Sequence, residues 1–272
     1  MTVGFLEVTR QTLLRQLRSK VYWFLLIMSL VFAAAFFFGP PDANDVRGDE
    51  LFGIVTYMSC FTVVIPFVVL YLAVYAISGD IDDRTSVYLF TRPLSRSSLM
   101  LGKWLAVVAL GMIFGFVAIT SLYLVIAHSG REWRDGVTPT PLSYVVMLLS
   151  ATLASVGYAS VGCFFGALFR RPMIISLAFV GIQEFVSRLP AEAGIHSMTV
   201  ADPVRRFMDA RLDVSSRELH EILMGRIPGP NGDSDPALLG DPLPALAKLI
   251  VVSMVLALLI YGRREYDSRP RE

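Results

Sequence analysis

The chain has 272 residues, of which 54% are hydrophobic and 17% charged, and its net charge is +1. Soluble domains carry about 25% charged residues, so this chain lacks the charge to clothe so much apolar mass in a water-facing surface. Its near-neutral balance offers no footing for nucleic acid, and a mean hydropathy of +0.59 points to lipid.

Residues 1–20 mix Glu7, Arg10, Arg15, Arg18 and Lys20 with apolar positions. Leu13, Leu14, Leu17 and Val21 fall on one helical face, with Glu7, Gln11, Arg15 and Arg18 on another, which predicts an amphipathic helix lying in a membrane interface. The pattern does not read as a signal peptide, because no small-residue cleavage site follows the next apolar block. That block, 21–39, is charge-free and ends at Pro40-Pro41. At about 1.5 Å per residue it spans roughly the 30 Å of a hydrocarbon core. A second span is predicted over 52–78, long enough to tilt or to kink at Pro66, then spans over 104–127 and 142–169. The fifth, 172–189, is weaker. Glu184 and Arg188 interrupt it, four apart on one face, and form a candidate intramembrane pair. Residues 190–244 are polar and rich in Pro, Gly and Asp, with short helices expected at 203–212 and 216–224. The last span is 245–262.

The expected fold is therefore all-α and polytopic, with six transmembrane helices after an interfacial one. Basic residues set the orientation. With both termini cytoplasmic, Arg10, Arg15, Arg18 and Lys20, then Arg84, Arg92, Arg96 and Lys103, then Arg170 and Arg171, and last Arg263, Arg264, Arg269 and Arg271 all lie inside. The two short outer loops hold only Arg47, Arg131 and Arg134. In the membrane of a cell with this topology, 190–244 is extracytoplasmic.

Residues 79–103 form the most informative stretch. Asp80, Asp82, Asp83 and Arg84 leave the second span, Arg92-Pro93-Leu94-Ser95-Arg96 makes a turn, and Gly102-Lys103 leads back into the bilayer. Proline disfavours helix at the residue before it, and Ser95 is placed to cap a helix that begins near Arg96. Alternating charges over such an excursion suit docking to a soluble partner.

This order of features resembles the ABC-2 type permeases of ATP-binding-cassette transporters, most closely the subgroup of NosY-like copper-maturation permeases. The similarity covers the whole chain, including Asp202-Pro203-Val204-Arg205-Arg206-Phe207, which is similar to an "NPV…F" element after the family's fifth span. The first motif departs from the family's Glu-rich, Gly-Thr version, reading Asp82-Asp83-Arg84-Thr85-Ser86. The resemblance implies a type V ABC exporter-like fold, and makes 79–103 the coupling segment that fits a groove on an ATPase. Asp80, Asp82, Asp83 and Arg84 then lie at the base of the second span, with Arg92, Pro93, Ser95 and Arg96 at the turn before the third. It further implies two ATPase copies carrying ATP and Mg²⁺, a second permease copy, export in the inner membrane, and an extracytoplasmic partner for 190–244.

The chain itself has no GxxxxGK[ST] phosphate loop to hold a nucleotide, so no enzyme activity, cofactor or metal is assigned to it. Cys60 and Cys163 lie in apolar blocks outside any ligand cluster, and the methionines are scattered as gap-fillers. Gly111xxxGly115 and Gly162xxxGly166 favour close helix approach, within one chain or between copies, and Ser155 and Ser160 read as packing residues. Two readings compete with the transporter. One is a scaffold or accessory subunit. The other is a CAAX-type intramembrane protease, since Gln183-Glu184-Phe185-Val186-Ser187-Arg188 is one residue from EExxxR. No FxxxH follows, and His128, His196 and His220 lie at a membrane edge or in the polar loop.

Overall fold

A computed structural model describes residues 2–37, 48–82, 95–128, 139–169, 172–186, 199–209, 211 and 241–263. Among these the regular structure is entirely helical. The helices are α1 (Thr2–Leu17), α2 (Lys20–Phe37), α3 (Gly48–Thr56), α4 (Ile65–Asp82), α5 (Arg96–Ala127), α6 (Pro141–Leu168), α7 (Pro172–Val186), α8 (Ala201–Asp209) and α9 (Pro242–Arg263). Four stretches among the described residues are long and apolar enough to cross a bilayer: Leu51–Gly79, Ser97–Ala127, Pro141–Leu168 and Pro242–Gly262. Lys20–Val31 and Pro172–Gln183 are shorter apolar helices. The protein is an all-α, polytopic membrane protein.

α6 is the hub, packed against α4, α5 and α9. Its glycines and serines make this closeness possible. A Cβ on Gly162 would lie 2.6 Å from the Ala73 Cβ, and one on Gly111 would lie 2.9 Å from the Val69 side chain. A Cβ on Gly166 would meet Ile77 at 3.1 Å and one on Gly115 would meet Ala151 at 3.2 Å. Both GxxxG pairs are thus used within this chain, where they let α4 and α5 lie against α6. Ser155 bonds back to the Ala151 carbonyl at 2.7 Å, so its hydroxyl is satisfied by its own helix, as packing requires.

α3 and α4 form one continuous rod, joined by a π-helical segment, Tyr57–Val64. Pro66 explains it. Proline has no N–H to donate, and its ring clashes with the carbonyl four residues back. The helix answers by widening. The Ile65 N–H reaches the Cys60 carbonyl, five residues back, and the Thr62 hydroxyl donates to the Tyr57 carbonyl at 3.4 Å.

α1 is amphipathic, as its composition predicts, but its buried face is rotated. Leu13 and Leu17 pack on the core and Val8 and Gln16 are buried, while Leu14 and Val21 are exposed. A polar side chain therefore lies in the middle of the face that sequence alone makes apolar. On the opposite side of the bundle, Asp49 near the start of α3 accepts from the Thr140 backbone N–H at 2.6 Å and the Ser143 hydroxyl at 2.7 Å. A carboxylate here suits the positive N-terminal end of α6. Tyr123, Tyr144 and Phe52 cluster beside it.

α7 has only 15 residues, about 22 Å of helix, short of the ~30 Å core. Short elements expected in 190–244 are met by α8. The second, 216–224, lies outside the described residues.

Asp49→Ala removes two charge-assisted hydrogen bonds and should cost about 2 kcal/mol. Thermal unfolding in detergent, followed by tryptophan fluorescence, should show a lower midpoint, with Asp49→Asn between the two. An unchanged midpoint for Asp49→Ala would refute the tie between α3 and α6.

Candidate functional site: the base of the coupling segment and a buried polar layer

Ser95 caps α5, its hydroxyl accepting from the Ser98 backbone N–H at 3.3 Å. Asp80 and Asp82 lie in the last turn of α4 and Arg96 opens α5. Asp83, Arg84, Arg92 and Pro93 lie outside the described residues. The segment between α4 and α5 therefore has two helical ends, and both α4 and α5 pack against α1.

At the α4 end, Gln16, 1% exposed, donates its Nε2 to the Leu72 carbonyl at 2.9 Å. One turn further on, the Arg15 guanidinium lies 5.5 Å over the Tyr75 ring. At the α5 end, α1 crosses Gly102 at close range: a Cβ there would lie 3.0 Å from Val8 and 3.2 Å from the Phe5 carbonyl oxygen. Only glycine admits that approach without displacement. Lys103, which sequence places at the mouth of the bilayer, is 3% exposed and near Cys163. Trp104 donates its indole N–H to the Ser160 hydroxyl at 3.0 Å, tying α5 to α6. Trp23 does the same for the α1–α2 turn, to the Leu17 carbonyl at 2.7 Å.

A second polar layer lies deeper. Tyr158 donates its hydroxyl to Gln183 Oε1 at 2.9 Å. Tyr158 is ten residues from the end of α6 and Gln183 eleven from the start of α7, about 15 Å from either end. Beside it lies α8. Asp202 and Arg206 form an ion pair at 2.9 Å with side chains 4% and 9% exposed. Arg205 stacks 4.9 Å over Tyr57, the first residue of the π segment. Val200 presses on α6 where Gly157 leaves room; a Cβ there would be 2.7 Å away. Tyr57, Phe61, Tyr158 and Arg205 line a cavity of about 10 Å³, close to the volume needed for one water.

A family model described as "ABC-2 family transporter protein" matches residues 14–187. The chain belongs to the ABC-2 transporter family. It is a permease subunit of an ABC transporter, a membrane subunit of the class that works with an ABC ATPase. The match runs from α1 across residues 79–103 to the end of α7 and leaves α8 and α9 outside. No curated protein matches the chain.

Sequence reasoning missed most of this layer. The Asp202–Arg206 spacing, i to i+4, is a readable pair, but nothing in it announces burial against Tyr57. The Gln183–Tyr158 bond joins residues 25 apart and carries no local signature. Glu184 is on α7, and Arg188 lies outside the described residues, as does any contact between them. Among the described residues no cluster of His, Cys, Asp and Glu is arranged to hold a metal.

Removing one member of a buried ion pair strands the other charge, at about 3–5 kcal/mol. Asp202→Ala and Arg206→Ala should each lower the unfolding midpoint strongly. Asp202→Leu combined with Arg206→Leu should be less damaging than either. A double variant worse than both would contradict the pairing.

Proposed function

We propose that this ABC-2 permease couples ATP hydrolysis on a separate ATPase to export across the cytoplasmic membrane. The observation that carries the proposal is the clamp of α1 on both ends of the coupling segment. Gln16 and Arg15 hold α4 at Leu72 and Tyr75, and Val8 rests on Gly102 of α5. A push on residues 83–94 would then be resisted by α1, and the load passed along α4 and α5 into the bundle. A flexible loop would absorb such a push.

In this reading Asp80, Asp82, Asp83 and Arg84 face the ATPase from the base of α4, with Arg92, Pro93, Ser95 and Arg96 at the turn before α5. Two ATPase copies carry ATP and Mg²⁺. Two copies of this chain pair as a homodimer, since one such bundle makes half a pathway. Six crossings put both termini in the cytoplasm, with α7 as the short fifth crossing; the parts of 190–244 other than the buried α8 lie on the outer side, available to an extracytoplasmic partner. The chain holds no phosphate loop of its own, so it contributes mechanics and not catalysis.

The test is copurification. An ABC ATPase should be recovered with the tagged chain from its native membrane. Like charges meeting across an interface cost several kcal/mol, so Asp83→Lys and Arg96→Glu should each lower recovery by about tenfold or more. Arg131→Glu, on the opposite side in this topology, should leave it unchanged. Full recovery with both inner variants would remove the coupling assignment and favour a scaffold.

A further inference from the structure

α4 and α7 do not close against each other along their length. Between them runs a groove of about 180 Å³, walled by Phe67, Leu70 and Tyr71 of α4 and by Ile174, Leu177 and Val180 of α7. Its lining is too apolar to hold water, which needs two to four polar partners. Ile174 and Leu177 are 64% and 58% exposed, so the groove opens on the outside of the bundle, where the hydrocarbon core lies.

The groove has a polar end. Phe67, Tyr71 and Tyr75 recur every four residues on α4 and share a face. Tyr71 and Tyr75 stack at 6.0 Å with ring planes 8° apart. The Arg15 guanidinium then covers Tyr75. An apolar slot, a tyrosine pair and a cation therefore follow one another towards the side of the bundle on which α1 lies. Phe67 to Tyr75 is eight residues, about 12 Å along the helix, against about 15 Å for one leaflet of a 30 Å core. α1 and its link to α2 carry Arg10, Arg15, Arg18 and Lys20 against one acidic residue, Glu7. Charge and length both match one kind of molecule.

We propose that this face holds an anionic phospholipid of the leaflet on which α1 lies. One acyl chain fills the α4–α7 groove. The glycerol region passes the Tyr71–Tyr75 pair, and the phosphate meets the Arg15 guanidinium. The tyrosines suit that position because they pair an apolar body with a polar tip at headgroup depth. The lipid is a resident ligand that wedges α7 against the rod that ends in the coupling segment. The site stands on the groove and its polar end, whichever ATPase the chain engages and whichever way it transports.

The experiment is native mass spectrometry of the purified protein released from nanodiscs of equal parts phosphatidylglycerol and phosphatidylcholine. The wild type should retain one lipid per chain, with phosphatidylglycerol preferred. A basic side chain near a membrane surface contributes about 1 kcal/mol to anionic lipid binding, so Arg15→Ala should lower that preference by about fivefold. Leu177→Trp, which fills the groove, should abolish retention of either lipid. Arg18→Ala removes the same charge from α1 without touching the stack, and should keep the preference. Equal retention of both lipids by the wild type would overturn the proposal, and this readout needs no variant to fold. An equal loss in Arg18→Ala would reduce the effect to general surface charge. Efficient disulfide cross-linking between two copies through Ile174→Cys in the bilayer would give the groove to a second chain instead.

Discussion

Inside a bilayer no water is available to a polar group, so every donor, acceptor and charge must find its partner in the protein. This constraint organises the molecule. Gln16 is buried on a helix end and reaches the Leu72 carbonyl. Trp104 is paired with Ser160, Tyr158 with Gln183, and Asp202 with Arg206. The first three contacts each join two helices, where slippage would strand a polar group, and the Asp202–Arg206 pair neutralises two buried charges within α8. Apolar packing in lipid has no hydrophobic drive between helices, so it brings the elements close without fixing their register. The polar contacts supply that register, at the depths where they lie.

Two layers result, and one rod connects them. The layer nearer α1 fastens both ends of the coupling segment. The layer around Tyr158 presses α8 on Tyr57, at the start of the π segment. π-helical turns recur at functional sites, and here the turn has a local cause in Pro66. Below it α4 is a regular helix that ends in Asp82. A force on the coupling segment would thus travel along α4 to a turn already departing from α geometry, with a buried arginine against it. α9 differs. Only 17% of its most apolar window is buried, so most of its surface belongs to the membrane.

Much of the fold was legible, because long charge-free blocks permit few structures in lipid. The long spans, the weak fifth helix and the Ser95 cap all follow from local composition and chemistry. Pro66 flagged the second span, but a proline alone does not say whether a helix will kink or widen. The face of α1 was misread by one step, since Leu14 satisfies an apolar pattern as well as Gln16 violates it. Only the Leu72 carbonyl explains why a glutamine is buried there. The site was less legible still. Gln16 and Leu72 are 56 apart in sequence, as are Trp104 and Ser160. Such contacts follow from how helices are arranged in space, which periodicity does not encode. The family motifs located the coupling segment. They were silent on the contacts of α1 with α4 and α5.

The central claim is that residues 83–94 meet an ABC ATPase while α1 holds α4 and α5. Site-specific photo-cross-linking in the native membrane addresses it most directly. A photoreactive amino acid in place of Ser86 should give a covalent adduct with an ABC ATPase, and one in place of Asn44, in the outer loop that the charge pattern predicts, should give none. An ATPase adduct from Asn44, or none from Ser86 in a correctly inserted chain, would contradict the account.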